Sequence, residues 1–473
     1  MYPTIAELLE KLPHQEFVGS RTILRRRVRG FSTDSRTVKQ GEVFIALHGE
    51  NFNGHEFVPT VGHKGAIVAI VSEEWMRARK EEVGIPLIAV KDPLAAYGQI
   101  ATAHRRNFSI PVIAVAGSNG KTTTKELISD VLSTRYNVLK TEGNLNNLIG
   151  VPATMLRMTD RHTAAVVEIG TNSPGEIEKL CEILEPTHGI ITNVGREHLE
   201  LLKTIEGVAE EEGALFRYLG KKGLGFVNRD DEHLVRVSRA LAKKVTYGRH
   251  TNADIHAEVE LRSSGMPWVT LQDQRKPSRP ISLELKTPGP HTALNAVAAA
   301  AVGIALRIPR GEIKEKLEAF EPREYHGGYA RLRPMRATNG ALILNDTYNA
   351  NPDSMVAAFD TLAGMQTASE GRRIVVLGDM RELGSNSADE HRRVGELLAR
   401  SGHVDLAFFV GDEMKKAHEV ISATQRSSLS SFHFKDKARV VDELKKVLKP
   451  EDLVLVKGSR GMRMEEVVAG ITS

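Results

Sequence analysis

The sequence predicts an α/β protein of three domains. At 473 residues, the chain is too long to fold around a single hydrophobic core. From about residue 110 to the C terminus, strand-like runs alternate with helical stretches, a pattern typical of parallel sheets covered by helices. Before that point the strand-like runs are short and separated by turns, which indicates a smaller mixed α/β domain. We place the domains at residues 1–106, 107–322 and 323–473.

The composition is that of an ordinary globular protein, with 41% apolar and 26% charged residues. The formal net charge of +4 gives no reason to expect nucleic acid as a partner. The single cysteine, Cys181, cannot form an internal disulfide, so we expect a reducing, cytoplasmic location. The longest apolar run, 296–306, is too short to span a membrane. No coiled-coil pattern or long apolar surface stretch demands an assembly, and we expect a monomer.

The strand predictions rest on short apolar runs bounded by turn residues. In the N-terminal domain they cover residues 43–47, 66–71 and 85–90. In the central domain they cover 110–117, 164–169 and 189–194, with a helix at 121–134 and a hairpin or loop insertion at 263–280. In the C-terminal domain, runs at 341–344, 373–377, 406–410 and 453–456 alternate with helical stretches at 354–362 and 389–400.

A glycine-rich loop follows the strand at 110–117, in the stretch VAGSNGKTTTKELI. The usual spacing of a phosphate-binding loop has a further glycine where Val115 stands, so the motif alone is weak. The context favours it, because a strand, a loop and a helix in this order direct backbone N–H groups and the positive helix end at phosphate. The alternative is a glycine turn before a basic helix start. We predict a nucleotide site made by Gly117, Ser118, Asn119, Gly120, Lys121, Thr122 and Thr123.

Two further polar residues stand where predicted strands end. Glu168 closes the run AAVVEIG, and His198 follows the next strand in ITNVGREHLE. The carboxyl ends of parallel strands are where α/β sheets bind ligands. A carboxylate in an otherwise apolar strand is costly unless it is paired or bound to a metal. A lone histidine is more often structural, but its position at an equivalent strand end favours a functional role.

These motifs and others in the same order resemble the Mur ligase family, ATP-dependent enzymes that build the peptide of bacterial cell-wall precursors. The resemblance covers nearly the whole chain. Its motifs are FSTDSRTVKQGEVFIALHGENFNGHEF (31–57), GSNGKTTTKE (117–126), GNLNNLIGVPATML (143–156), EIGTNSPGEI (168–177), ITNVGREHLE (191–200), HTALNAVAAA (291–300), NDTYNANPDSM (345–355), LGDMRELG (377–384) and VKGSRGMRMEEV (456–467).

The resemblance implies a small N-terminal domain for a UDP-sugar peptide, a central P-loop ATPase-like domain with a parallel sheet, and a Rossmann-like C-terminal domain. It implies an ADP-forming ligase that joins D-alanyl-D-alanine to UDP-N-acetylmuramoyl-tripeptide through an acyl phosphate, with ATP and Mg²⁺ as cofactors. Whether the third residue of the tripeptide is lysine or diaminopimelate is left open.

The resemblance also implies roles at the nucleotide. Lys121 stabilises the transferring phosphoryl group, Thr122 and Glu168 hold one Mg²⁺, and His198 holds a second. Asn295 lies on the adenine side, Arg331 reaches the phosphates from the C-terminal domain, and Asp346 lies near the ribose. The sequence departs from the family at Thr292, where asparagine is usual, and at Asn345, where a second acid is frequent.

For the other substrates, the resemblance places Asp34, Ser35 and Arg36 at the uridine diphosphate. Without the neighbouring motif, TDSR reads as a polar turn. The muramoyl peptide is expected at Asn144, Asn146 and Asn147, although an Asn-rich loop alone is ordinary turn chemistry. The C-terminal domain is expected to contribute Asn349, Asn351, Ser354, Lys457 and Arg460.

One departure concerns a lysine that many Mur ligases carbamylate to hold the second Mg²⁺. The aligned stretch GVAEEEGALF has no lysine, and Glu212 takes its position. Glu212 supplies a negative charge without CO₂, so we expect it to replace the carbamate as a metal ligand. The alternative is that Glu210, Glu211 and Glu212 form a solvated helical face.

Three other functions remain as alternatives. The sister ligase that adds lysine or diaminopimelate carries an Asp-Asn-Pro-Arg stretch that is absent here. A folate polyglutamate ligase is disfavoured by the N-terminal UDP-type motif. A P-loop ATPase that acts as a switch belongs to a different class, and would hydrolyse ATP without an amine.

Overall fold

A computed structural model of the chain describes residues 2–12, 15–49, 52–78, 83–276, 278–322, 328–424 and 429–472. It confirms the α/β class. The described residues divide into two compact units, which we treat separately. The first unit takes in residues 1–114, 136–171 and 175–188, and the second takes in residues 115–135, 172–174 and 189–473.

The elements of the N-terminal third alternate short strands with helices. They are α1 (Ile5–Glu10), β1 (Glu16–Val18), β2 (Gly30–Ser32), β3 (Glu42–Ile45), α2 (Val58–Val61), β4 (Val68–Ser72), α3 (Glu73–Ala78), β5 (Leu87–Val90) and α4 (Pro93–Arg105).

The middle of the chain carries nine strands within its described residues. Its elements are β6 (Val112–Ala116), α5 (Lys121–Leu132), β7 (Val138–Lys140), α6 (Gly150–Leu156), β8 (Ala164–Glu168), α7 (Glu176–Leu184), β9 (His188–Ile191), α8 (Leu199–Leu202), α9 (Ile205–Leu219), β10 (Leu224–Asn228), α10 (Glu232–Val237), β11 (Lys244–Gly248), β12 (Ile255–Leu261), β13 (Pro267–Asp273), β14 (Ile281–Glu284), α11 (Pro290–Ala305) and α12 (Arg310–Ala319).

The C-terminal part returns to regular strand–helix alternation. Its elements are β15 (Arg333–Arg336), β16 (Leu342–Asp346), α13 (Pro352–Gly364), β17 (Arg373–Gly378), α14 (Ser387–Ser401), β18 (Leu406–Val410), α15 (Lys415–Ala423), β19 (Ser430–Phe434), α16 (Lys437–Val447), β20 (Leu453–Lys457) and α17 (Glu465–Thr472).

The first unit contains a five-stranded sheet in the order β1-β5-β4-β3-β2. Strands β2 to β5 pair in parallel, and β1 closes the edge antiparallel to β5. One face of this sheet is covered by a core that includes Phe44, Val58, Val61 and Leu87. The predicted small mixed α/β domain is confirmed. Strands β7 and β8, also in this unit, pair in parallel.

In the second unit, β10, β11 and β12 are parallel, and β12, β13 and β14 continue as antiparallel hairpins. The hairpin predicted at 263–280 is therefore confirmed, with its turn between β12 and β13. Pro277 lies outside the described residues. The predicted parallel sheet thus ends in an antiparallel extension.

The C-terminal part of the second unit forms a six-stranded sheet in the order β15-β16-β20-β17-β18-β19. All neighbours are parallel except β15, which is antiparallel to β16. Two apolar cores cover its faces, one containing Leu377 and Phe409 and the other containing Val376 and Val456. Alternating residues of one strand thus enter different cores, as a sheet with helices on both faces requires. The Rossmann-like prediction is confirmed.

Candidate active site

The phosphate loop between β6 and α5 has two glycines in the left-handed backbone region. Gly117 has φ +111°, and a Cβ there would lie 2.4 Å from Thr192 Oγ1. Gly120 has φ +80°, and a Cβ there would lie 2.6 Å from Asn295 Oδ1. Any side chain would therefore be both strained and obstructed at these two positions. The missing glycine at Val115 has no such role, because Val115 is fully buried within β6.

Three consecutive amides of this loop are bonded to protein acceptors. Gly117 N–H donates to Glu212 Oε2 at 2.8 Å. Ser118 N–H donates to the carbonyl of Asn193 at 2.9 Å, and Asn119 N–H donates to Asn193 Oδ1 at 3.1 Å. These three bonds fix the backbone of the loop between β6 and α5.

Lys121 and Thr122 begin α5 and lie against this loop. The Lys121 ammonium donates to the carbonyls of Gly117 and Ser118, the second at 3.3 Å. The buried Thr122 hydroxyl accepts from Arg331 Nη2 at 3.2 Å. Arg331 in turn stacks over the ring of Tyr348, with its guanidinium carbon 3.9 Å from the ring centroid. The structure therefore brings the two predicted phosphate cations, Lys121 and Arg331, to the same helix start.

Glu197 is a residue of this site that the sequence analysis missed. It is 7% exposed, and its Oε2 lies 3.6 Å from Lys121 Nζ and 3.8 Å from His198 Nε2. Its Oε1 is buried and has no hydrogen-bond partner. The sequence did contain a signal for Glu197, because this residue directly precedes His198 in the motif at the strand end.

His198 has φ +50°, a left-handed conformation that is uncommon for a residue with a side chain. Its Nδ1 lies 2.9 Å from Oε2 of Glu382, which itself has φ +65°. Burial lowers the pKa of His198, but the bond to Glu382 and the charge of Glu197 outweigh burial and raise the pKa above its usual value. Glu382, in the LGDMRELG motif, is a second residue that the sequence analysis missed.

Glu212 lies on α9 and is fully buried beneath the phosphate loop. Its Oε2 accepts the bond from Gly117, and its Oε1 is buried without a partner. Burial raises the pKa of Glu212 to about 7, with Lys121 opposing and Glu197 adding to the rise. Glu210 is exposed and pairs with Arg217, whereas Glu212 is buried. The solvated-face alternative is therefore wrong for Glu212.

Glu168 ends β8 in the first unit and is 2% exposed. Its Oε1 accepts from Asn146 Nδ2 at 3.0 Å, and its Oε2 is buried without a partner. The neighbouring Asn147 accepts from the N–H groups of Ile149 and Gly150, at 3.1 and 2.9 Å, and so stabilises the start of α6. Asn144 is exposed.

The C-terminal part docks onto the phosphate loop through the first turn of α13. Asn351 caps this helix and donates from Nδ2 to Asn119 Oδ1 at 2.9 Å. Asp353 accepts from Arg196, whose guanidinium also lies 3.5 Å from Glu390. Ser354 closes the capping box with Asn351. The sequence predicted Asn351 as a substrate-side residue of the C-terminal domain, but it did not predict the pair of Arg196 and Asp353.

Three comparisons with known proteins identify relatives of this chain. Residues 27–105 match the Mur ligase family catalytic domain, residues 115–303 the Mur ligase middle domain, and residues 330–460 the Mur ligase glutamate ligase domain. The UDP-N-acetylmuramoyl-tripeptide–D-alanyl-D-alanine ligase of Escherichia coli is 34% identical, over 93% of each chain.

The chain belongs to the Mur ligase family.

Solved structures of Mur ligases extend the similarity to three dimensions. MurF from Acinetobacter baumannii superimposes with a TM-score of 0.85 at 30% identity, covering 99% of this chain and 98% of that one. MurF ligase from Thermotoga maritima, solved in complex with ADP, gives a TM-score of 0.80 at 25% identity, covering 94% and 97%.

Other predicted residues of this Mur ligase are held by bonds within the protein. Asp346 Oδ2 accepts from the buried Lys457 ammonium at 2.6 Å, and Lys457 also donates to the carbonyl of Asn349 at 3.0 Å. Arg460 pairs with Glu465 at 2.8 Å and donates its backbone N–H to Asn349 Oδ1 at 3.3 Å. These bonds hold Asp346, Asn349, Lys457 and Arg460 together at the end of β20.

The departure at Thr292 is compensated locally. Its buried hydroxyl donates to the carbonyl of Gly289 at 2.7 Å, in the first turn of α11. Asn295, one turn further along α11, is 8% exposed and lies against Gly120 of the phosphate loop. Thr123 is half-buried on α5.

In the first unit of this Mur ligase, Asp34 and Arg36 form an exposed pair. Arg36 donates to Asp34 from its backbone N–H at 2.9 Å and from Nη2 at 2.7 Å, and these bonds lower the pKa of Asp34 to about 2. Ser35 is buried, and its carbonyl accepts from Lys64 Nζ at 2.9 Å. The backbone bond is that of a polar turn, and the turn presents the Arg36 side chain to solvent.

The donor atoms of this Mur ligase fit Mg²⁺. No group of three or more His, Cys, Asp or Glu in the described part of the chain is arranged as an all-protein metal site. Mg²⁺ is usually bound by one or two carboxylates together with substrate phosphates and water. Glu197 and Glu212 each have a buried, unpartnered oxygen of that kind in the second unit, and Glu168 has one in the first unit.

Across the described ranges, no helix is both long enough and apolar enough to cross a lipid bilayer.

Proposed function

We propose that this Mur ligase joins D-alanyl-D-alanine to UDP-N-acetylmuramoyl-tripeptide in peptidoglycan precursor synthesis, converting ATP to ADP and phosphate. The γ-phosphoryl group moves to the terminal carboxylate of the tripeptide and gives an acyl phosphate. The amine of the dipeptide attacks the acyl carbon, and the tetrahedral intermediate collapses to the peptide bond with release of phosphate. The enzyme is an ADP-forming, peptide-bond-forming acid–D-amino-acid ligase.

The observation that carries this proposal is the convergence of two cations on one helix start. Lys121 belongs to α5 itself, and Arg331 reaches the Thr122 hydroxyl from the C-terminal part of the chain. Phosphoryl transfer to a carboxylate brings anions together, and positioned cations stabilise the charge that spreads over the transferring group. We assign this role to Lys121 and Arg331.

The nucleotide is placed by the residues of the phosphate loop, Gly117 to Thr123, together with Asn295. We assign Asp346 to the ribose side, in keeping with its position at the end of β16, where parallel sheets bind ligands.

For Mg²⁺ we propose Thr122, Glu168, His198 and Glu212 as protein ligands. Mg²⁺, when bound, offsets the negative charge of the phosphate oxygens and of the attacking carboxylate. The support within the chain is that Glu168 and Glu212 each keep a buried oxygen without a hydrogen-bond partner.

For the substrates we assign the uridine diphosphate to Asp34, Ser35 and Arg36, and the muramoyl peptide to Asn144, Asn146 and Asn147. The dipeptide side is assigned to Asn349, Asn351, Ser354, Lys457 and Arg460. Lys457 and Arg460 already have carboxylate partners, so receiving the dipeptide carboxylate requires them to share or exchange those partners. We further propose that the enzyme is a cytoplasmic monomer, and that its domains are residues 1–106, 107–322 and 323–473.

The test is phosphate release measured with UDP-N-acetylmuramoyl-tripeptide, ATP, Mg²⁺ and a panel of amines. We expect release to require both the nucleotide-sugar tripeptide and D-alanyl-D-alanine. Equal turnover with free lysine or diaminopimelate on a dipeptide substrate would instead identify the sister ligase. Hydrolysis of ATP at the same rate without any amine would identify an ATPase switch.

A further inference from the structure

We propose that Glu197 is a ligand for a divalent cation at the phosphate loop, where it acts as a pair with Glu212. This inference deepens the proposed function and rests on it, because the cation is the one that accompanies the nucleotide. It adds a residue that the family resemblance did not supply.

The first observation is that both carboxylates are buried and incompletely bonded. Glu197 is 7% exposed and Glu212 is fully buried. One oxygen of each, Oε1 in both cases, has no hydrogen-bond partner. A buried acceptor without a partner is unfavourable, and more so when it is charged. Two such oxygens in one small region indicate a ligand that satisfies both.

The second observation is that the two side chains converge on the same part of the loop. Glu212 binds the N–H of Gly117 at 2.8 Å, and Lys121 donates to the carbonyl of that glycine. Glu197 lies 3.6 Å from the ammonium of Lys121. Both carboxylates therefore lie at the part of the loop formed by Gly117 and Lys121.

The chemistry of the pair selects its ligand. Two carboxylates with buried free oxygens form a hard anionic site, which suits Mg²⁺ or Mn²⁺ completed by phosphate oxygens and water. Without a cation, the same carboxylates repel the phosphates of a nucleotide bound beside Lys121. The pair therefore makes nucleotide binding depend on the metal.

A simpler role for Glu197 is that of counter-ion to Lys121, and the geometry disfavours it. The distance of 3.6 Å is that of an ion pair without a direct hydrogen bond, while the ammonium donates to loop carbonyls. The counter-ion role also leaves Oε1 of Glu197 and Oε1 of Glu212 unsatisfied.

The test compares Glu197→Gln with the wild type in ADP affinity, measured by isothermal titration calorimetry with Mg²⁺ and with EDTA. For the wild type we expect Mg²⁺ to strengthen ADP binding markedly. In Glu197→Gln, we expect binding in EDTA to be unchanged or tighter, since one repulsive charge is gone. ADP binding with Mg²⁺ should weaken, so that the ratio of the ADP affinity in Mg²⁺ to that in EDTA falls at least tenfold.

The other outcomes overturn the proposal in recognisable ways. If Glu197 is only the counter-ion of Lys121, the variant binds ADP more tightly in both conditions and the gain from Mg²⁺ is unchanged. If Glu197 is only structural, binding weakens equally in both. The matched control is Glu200→Gln, an exposed glutamate on α8, which should behave as the wild type.

A second measurement counts the metal directly. Electron paramagnetic resonance of Mn²⁺ titrated into the wild type with ADP should show a tightly bound ion that Glu197→Gln and Glu212→Gln each weaken. Neither assay contains an amine or a sugar peptide. If metal-linked ADP binding behaves as described but no amine supports phosphate release, the proposed reaction is wrong and the cation site stands. If D-alanyl-D-alanine supports phosphate release but Glu197→Gln leaves metal-linked ADP binding unchanged, the cation site is wrong and the proposed reaction stands.

Discussion

The carboxylate of Asp353 accepts from both the backbone and the side chain of Arg196, with Oδ2 2.5 Å from the amide nitrogen and Oδ1 2.6 Å from Nη2. Arg196 lies two residues before His198, and Asp353 lies in the first turn of α13. The approach is close, because a Cβ on Gly195 would lie 2.8 Å from Asp353 Oδ2. This pair therefore fixes the segment that carries Glu197 and His198 against the C-terminal part of the chain.

Asp353→Asn should lower kcat by about tenfold, corresponding to ~1.4 kcal/mol. The amide side chain keeps the size of aspartate but loses the charge-assisted bonds to Arg196, which hold the C-terminal part against the segment of Glu197 and His198. Steady-state kinetics give the effect, and hydrogen exchange at the Arg196 amide should become faster. Asp389→Asn, which breaks an exposed pair with Arg392, is the control and should change neither. An Asp353→Asn enzyme with unaltered kcat and exchange would show that this pair does not hold the two parts together.

Arg331→Ala should lower kcat at least a hundredfold, about 3 kcal/mol of transition-state stabilisation, and Lys121→Ala should have a similar effect. Both side chains place positive charge at the Thr122 helix start, and the Arg331 guanidinium arrives from the C-terminal part. Turnover with saturating substrates is the measurement. Arg336→Ala, at an exposed position of β15, serves as the control. Wild-type turnover of Arg331→Ala would remove Arg331 from the phosphate site.

Activity should not change when CO₂ and bicarbonate are removed from the buffer, because the carboxyl group of Glu212 has no amine for CO₂ to modify. Glu212→Gln should reduce kcat at least tenfold, about 1.4 kcal/mol, while Glu210→Gln should be neutral. Glu210 is the matched control, since it lies on the same helix with 65% of its side chain exposed. A fully active Glu212→Gln, or loss of turnover on removal of CO₂, would contradict the assignment.

Stability should fall as the pH drops below about 6.5, the usual histidine pKa, in a manner that depends on His391. This buried imidazole accepts from Met380 N–H at Nε2, 3.0 Å away, and pairs through Nδ1 with the Ser387 carbonyl at 2.7 Å. Burial lowers the pKa of His391, so the unfolded chain binds a proton that the folded protein does not, and acid favours unfolding. His391→Gln should be less stable at pH 7.5 but lose less stability on acidification.

Chemical denaturation at pH 7.5 and pH 5 measures this effect, with His403→Gln at an exposed position as the control. An identical loss of stability in His391→Gln and the wild type would assign the acid sensitivity to other groups.

The strands could be predicted well because a buried strand in a parallel sheet is a continuous apolar run. The run at 406–410 is β18 (Leu406–Val410) without adjustment. The predicted ends of helices were wrong where a polar capping residue, rather than the apolar pattern, determines where the helix begins. The helix expected at 354–362 begins at Pro352, two residues earlier than the apolar pattern suggests, because Asn351 caps it.

The phosphate loop could be predicted because its geometry is contained in consecutive residues. The residues that dock onto it could not, because their partners are far away in sequence. Arg196 and Asp353 are 157 positions apart, and neither stands in a pattern that requires the other. Glu212 could be predicted in part, because the sequence pattern of α9 indicates its burial. Its spacing from Val208 and Phe216 places it on the buried face of α9, and this periodicity argues against a solvated face.

The bonds that hold the amides of Gly117, Ser118 and Asn119 have a consequence for the thermodynamics of nucleotide binding. Ordering a backbone residue costs about 1–2 kcal/mol of conformational entropy, and in this loop the cost is met when the protein folds. The nucleotide then meets a rigid template, so its binding should carry little entropic penalty from the loop. Loosening one anchor, for example the Asn193 side chain that accepts from Asn119, should make the binding entropy less favourable before it alters any contact with phosphate.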